Sequence, residues 1–192
     1  MEKAAAAILA EINKQKQTKA PMLVAIDGRC AAGKSTIAGI IQRAAGCTVI
    51  HMDDFFLRPE QRTKERLLMP GGNIDWERFI QEVLLPLSSG QAAFYRPYDC
   101  HSQKFAETVK ADLTPFILIE GSYSCHPWLW DFYAFHVFLN ISHEEQLRRI
   151  KARSGTAFDM FRDKWIPLEE RYFEAFDIAK RCELRLETSG LR

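Results

Sequence analysis

The chain has 192 residues, a length that fits one α/β domain with a sizeable core and one active site. Lys and Arg total 26 against 25 Asp and Glu, so the net charge of +1 gives no global attraction to nucleic acid or an anionic membrane, and any affinity for phosphate has to be local. Cys30, Cys47, Cys100, Cys125 and Cys182 lack the paired C-x-x-C spacing of zinc or redox sites, and no apolar run approaches the roughly 20 residues that span a bilayer; reduced thiols in a cytoplasmic protein without signal peptide or anchor are expected.

Residues 2–16 combine strong helix formers with apolar Ile8, Leu9 and Ile12 ahead of Pro21, which predicts an amphipathic entry helix within 1–20. The apolar run Met22–Ile26 reads as a buried strand. Directly after it, Gly28-Arg29-Cys30-Ala31-Ala32-Gly33-Lys34-Ser35 fits G-x-x-x-x-G-K-[ST], and a helix is predicted over Ile37–Ala45. In that strand–turn–helix context the glycines let the backbone aim its N–H groups at phosphate oxygens, and the helix start adds partial positive charge. Gly28 through Thr36 are therefore the predicted nucleotide cradle, with Lys34 neutralising the outer phosphates and Ser35 offering a hydroxyl to Mg²⁺.

A weaker strand over Cys47–His51 leads to Asp53 and Asp54. A kinase acting on an alcohol needs a carboxylate to orient the acceptor hydroxyl and take its proton, and adjacent acids diverge too much to share one role. Residues 58–73 are polar with a Pro-Gly-Gly turn and read as cover over a site, and a helix is predicted over Trp76–Leu87 before Ser88-Ser89-Gly90. The run Phe116–Ile119 is another buried strand, placing Glu120 at its carboxyl end, where ligands bind in open α/β sheets; Glu120 is the expected acidic partner of the metal. A strand over Ala134–Leu139 and helices over Glu144–Ala152, capped by Ser142, and Leu168–Lys180, after Pro167, complete the pattern.

Between the last two helices, about 153–167, a charged and aromatic stretch reads as a lid hinged by Trp165 and Pro167. Arg149 and Arg153, four apart on one helix face, are the preferred phosphate contacts, with Arg162 a third candidate and Arg148 pointing elsewhere. Strands alternating with helices imply a three-layer, doubly wound, mostly parallel sheet of the P-loop nucleotide-binding type with a small lid.

His51-Met52-Asp53-Asp54-Phe55-Phe56, together with the Gly28–Ser35 loop and Ile119-Glu120-Gly121, resembles the uridine kinase, phosphoribulokinase and nicotinamide riboside kinase group. The resemblance runs from about Met22 to about Phe173, carried by short motifs. It implies Asp53 as the base, ATP and Mg²⁺ as cofactors, and a small-molecule acceptor, a nucleoside such as uridine first among them. Nicotinamide riboside, pantothenate, glycerate, other sugars, or a non-kinase ATPase or nucleotide-binding module remain alternatives. Gly72-Asn73-Ile74-Asp75-Trp76 resembles the segment whose Asp holds ribose hydroxyls, although Asp75 would serve equally as an N-cap for the following helix. Arg96-Pro97-Tyr98-Asp99 resembles a P-x-Y-D segment beside the nucleoside. Cys100-His101-Ser102-Gln103 departs from the usual F-x-x-H order, so Arg96, Tyr98 and His101 are substrate candidates without an assigned base contact. No guanine-reading N-K-x-D is present.

Overall fold

A computed structural model describes residues 1–15 and 21–191. Five parallel strands form the central sheet: β1 (Met22–Gly28), β2 (Thr48–His51), β3 (Phe116–Glu120), β4 (Phe135–Asn140) and β5 (Leu184–Glu187). Their spatial order is β2-β3-β1-β4-β5. The loops leaving the adjacent β1 and β3 run to opposite sides of the sheet, so a crevice opens at their carboxyl ends.

Both sheet faces are covered, which is why the strands read as continuous apolar runs. Side chains alternate across β1: Val24 and Ile26 pack with Ile8, Ile12, Ile37 and Ile41 of α1 (Glu2–Lys14) and α2 (Lys34–Ala45). Leu23 and Ala25 point to the other face, into a cluster with Phe55, Phe79, Leu87 and Tyr172. The entry helix is seen as predicted to Lys14; Lys16, the last residue of the predicted span, lies outside the described residues.

Two helices pass through a proline with the same adjustment. Residues 76–88 are helical throughout, with a π segment at Ile80–Leu84 just before Pro86; residues 158–175 repeat this with Phe161–Trp165 before Pro167. Proline lacks an N–H and its ring clashes with the carbonyl four residues back, and widening the turn relieves both. The predicted lid is therefore helical rather than irregular, and its exit is a π-turn instead of a break. The helix predicted over Leu168–Lys180 is two, Ile166–Ala175 and Ile178–Arg181, separated at Asp177 with φ +50°.

Sequence reading missed β5 and a pair of short antiparallel ladders, Ala93–Tyr95 with Val109–Ala111 and Tyr98–Asp99 with Lys104–Phe105. Among the described residues no helix is long and apolar enough to cross a membrane, and the five cysteines are free thiols.

Candidate active site

The turn after β1 is shaped by close approach. Gly28 has φ +134°, and a Cβ there would collide with the Leu139 carbonyl of β4; glycine is required for both reasons. Gly33, with φ +92°, caps α2, and Lys34 turns its ammonium onto the Gly28 and Arg29 carbonyls at 2.6 and 3.2 Å.

The fully buried Asp27, just before the turn, accepts from the backbone N–H groups of Gly28, Tyr123 and Cys125 at 2.7, 3.2 and 2.9 Å and from the Tyr172 hydroxyl at 2.9 Å. It ties the turn to the loop after β3. Burial raises its carboxyl, with the Lys34 charge opposing.

Glu169 makes the second tie. From the Ile166–Ala175 helix its buried carboxylate accepts from the Cys30 N–H at 2.9 Å and from the Ser122 hydroxyl at 2.5 Å. Its neighbour Glu170 holds the Arg29 guanidinium at 2.5 and 2.8 Å. The Arg29 side chain is thus a strut, while Cys30, Ala31, Gly33, Lys34, Ser35 and Thr36 face a cleft of 1420 Å³. Nothing in the local sequence marked Asp27 or Glu169, because neither belongs to the G-x-x-x-x-G-K-[ST] pattern.

Asp53 and Glu120 line the same cleft. Asp53 sits on a 3₁₀ turn, Met52–Phe55, open to cleft solvent but ringed by protein; this desolvation raises its carboxyl and Glu120 adds to the effect, while Lys34, His51 and Arg153 oppose it. Glu120 meets the His51 ring Nδ1 at 2.5 Å, a contact that raises the His51 pKa. Asp54 turns away toward the Tyr95 hydroxyl. Gly121, at φ +141°, clears room beside Met52 and Asp53.

The arginines divide. Arg153 lines the cleft, with its guanidinium 3.6 Å from the Cys30 sulfur and 5.5 Å from the Phe161 ring centre. Arg149 also borders it, but donates to Glu145 at 2.8 Å, to the Ala31 carbonyl at 3.2 Å and to the Thr188 and Leu191 carbonyls at 2.8 and 3.0 Å, bracing the cradle from behind. Arg148, expected to point elsewhere, also lines the cleft while pairing with Glu145, whereas Arg162 pairs with Asp163 and Asp159 and is not among the lining residues.

Of the substrate candidates, His101 faces the cleft and three others do not. Asp75 is 3% exposed and caps the next helix, accepting from the Arg78 N–H at 3.1 Å and from Gln61 at 2.7 Å, so its lone pairs are spent on structure. Arg96 donates to the Ala106 and Phe105 carbonyls, and with Tyr98 lines a separate groove of 440 Å³.

Ser35 and Glu120 present hydroxyl and carboxylate oxygens to one cleft, a donor set that suits Mg²⁺.

No family model matches the chain, and no curated protein matches it in sequence. Solved structures do. A possible uridine kinase from Bacillus stearothermophilus is 20% identical, with 97% of this chain and 100% of that one covered at a TM-score of 0.69. D-glycerate 3-kinase from Cryptococcus neoformans is 16% identical over 98% and 94% of the two chains at a TM-score of 0.65. A protein provisionally named a fructose transport system kinase from Silicibacter is 19% identical over 95% and 98% at a TM-score of 0.59. The fold is that of P-loop kinases. Those neighbours bear the names of kinases for different small molecules, so the shared fold leaves the substrate of this chain to its own residues.

Proposed function

We propose that the protein is an ATP- and Mg²⁺-dependent phosphotransferase that moves the γ-phosphate to a hydroxyl of a small molecule. The observation that carries this reading is the meeting, in one cleft at the carboxyl ends of β1, β2 and β3, of the Gly28–Ser35 cradle, Asp53 and Glu120. A cleft of 1420 Å³ exceeds the roughly 300–1,000 Å³ that one ligand takes, which suits a donor and an acceptor side by side.

In this reading the cradle amides and Lys34 hold the triphosphate, and Arg153 faces the charge that spreads over the moving group. Asp53 orients the acceptor hydroxyl and takes its proton as the new O–P bond forms and the bond from the γ-phosphorus to the bridging oxygen breaks, releasing ADP. Ser35 and Glu120 hold Mg²⁺, which neutralises phosphate charge when bound. A nucleoside acceptor rests on the motif resemblance and the kinase-like fold; with Asp75, Arg96 and Tyr98 outside the cleft, other hydroxylated metabolites compete on equal terms.

The test is ATP consumption over a panel of nucleosides, vitamins and sugars with the wild type, Lys34→Ala and Asp53→Asn. Lys34→Ala is expected to abolish transfer. Asp53→Asn is expected to keep nucleotide binding and lose at least roughly a hundredfold in kcat. Unchanged turnover in Asp53→Asn would remove it as the base.

A further inference from the structure

Beyond the cradle, the acceptor half of the cleft is walled by Phe56, Leu57, Leu67 and Tyr123, with Arg62, Cys100 and His101 on its rim. Arg62 differs from the other cations there. Arg148 and Arg149 share Glu145, and Arg153 and Lys164 belong to the lid side, with Lys164 4.8 Å from the Trp165 ring centre. Arg62 is held through its Nε on the Leu57 carbonyl at 2.9 Å, and one terminal nitrogen touches the Cys100 sulfur at 3.8 Å. It has no ion-pair partner among the described residues. Asp99, next to Cys100, spends its carboxylate on His101 and Ser102. Arg62 and Asp53 line the same cleft.

We infer that the acceptor is an anion: a small hydroxylated carboxylate or phosphate monoester whose hydroxyl meets Asp53 and whose charged end is held by Arg62. This rests on the phosphotransferase reading above and narrows it. Asp53 and Glu120 repel an anion unless a cation receives its charge, and among the several cations lining the cleft Arg62 is fixed at its Nε with only the Cys100 sulfur on a terminal nitrogen, which leaves N–H donors for a carboxylate or phosphate. Sites built around a polar group discriminate strongly against analogues that lack it. His101, beside Arg62 on the rim, can add a ring N–H.

The experiment compares matched pairs as acceptors with ATP and Mg²⁺: glycerate against glycerol, pantothenate against pantothenol, ribose 5-phosphate against ribose, with uridine as the neutral nucleoside. At least one acid is expected to exceed its neutral partner by roughly a hundredfold in kcat/KM. Which pair responds separates carboxylate from phosphate. In Arg62→Ala that advantage falls to within about tenfold through a higher KM for the acid, and Arg62→Lys restores part of it. Equal or better turnover of the neutral members, or an acid preference indifferent to Arg62→Ala, overturns the anionic acceptor while leaving the kinase reading intact. Absence of Lys34-dependent turnover with every acceptor removes the kinase reading instead. The anion site is then judged by calorimetric titration of the acids into protein holding a non-hydrolysable ATP analogue: binding lost in Arg62→Ala sustains the site, and no binding removes it.

Discussion

His126, in the loop after β3, shows how a single ring can set acid stability. It is 2% exposed, stacked 4.5 Å from the Trp76 ring, with Tyr172 and Phe176 on its other sides. Burial pushes its pKa down to about 4 from an ordinary 6.5, with Arg66 assisting and Glu77 opposing. A folded-state pKa below the unfolded one means that protons bind the unfolded chain better, so the stability is present above about pH 6.5 and is lost as pH falls toward 4. The shift corresponds to roughly 3 kcal/mol. Asp27 and Glu169, raised by burial, work in the opposite direction, so the measurement has to be a difference. Urea unfolding at pH 7 and pH 4.5 should show a smaller acid loss in His126→Gln than in the wild type; equal losses would remove His126 as the cause. Legibility differs residue by residue in a related way. The positions of Lys34, Ser35, Asp53 and Glu120 follow from local rules about strand ends, and all four line one cleft. Asp75 takes the N-cap role that its local sequence also offered, while the places of Arg96 and Tyr98 depend on how the segment between two distant elements folds back, which no local pattern encodes.

The Gly28–Ser35 turn and the segment before Ile166 are joined through one helix. Glu169 of Ile166–Ala175 ends on the Cys30 N–H and the Ser122 hydroxyl, and Glu170 ends on Arg29, so the helix that leaves the lid clamps the first half of the cradle. Removing Glu169 leaves the Cys30 donor buried without an acceptor, at a cost of about 1–3 kcal/mol. Glu169→Ala should therefore lower the unfolding midpoint and weaken ATP binding by roughly tenfold, whereas Glu169→Gln, which still accepts from Cys30, should keep most of both. Melting curves and nucleotide titration decide it; ATP affinity equal in all three proteins would show that the clamp does not shape the cradle. Among the strands, β1, β3 and β4, with both faces buried, stand out most plainly as continuous apolar runs, and the helices after β1 and β4 are legible from period and caps. The edge strand β5 alternates Leu184, Arg185, Leu186 and Glu187 with half its side chains in water, and the ladders of two or three residues are too short to carry a period. Residues 153–167 stand apart in the sequence for their charged and aromatic mixture, which shows no clear helical period, and a π-turn carries the helix through Pro167.

At the scale of the molecule, the apolar packing on the two sides of the cleft differs in extent. The sheet and its covering helices fill two extensive cores, while the lid helix leans on a small cluster of Cys30, Ile150 and Ile166 with Phe158 and Phe161 at its side. Most of residues 151–165 are exposed or only half-buried. Local opening is cheapest where few apolar contacts are lost, so this segment opens at lower free energy than the sheet. Met160, Phe161, Lys164 and Trp165 line the cleft, which means that a nucleotide held on the cradle would give them contacts they lack without it. Binding that adds contacts to the closed arrangement shifts the population toward it. Amide hydrogen exchange in residues 155–165 should slow by at least roughly tenfold when a non-hydrolysable ATP analogue and Mg²⁺ are added, while amides of β1 and β4, already exchanging by the slowest route, change little. Arg153→Ala should keep the analogue bound and lose most of the added lid protection, since it removes the lid-side cation nearest the Cys30 sulfur. Slowing confined to Gly28–Thr36, with 155–165 indifferent to nucleotide, would mean that the segment is a fixed wall and that closure is no part of the catalytic cycle.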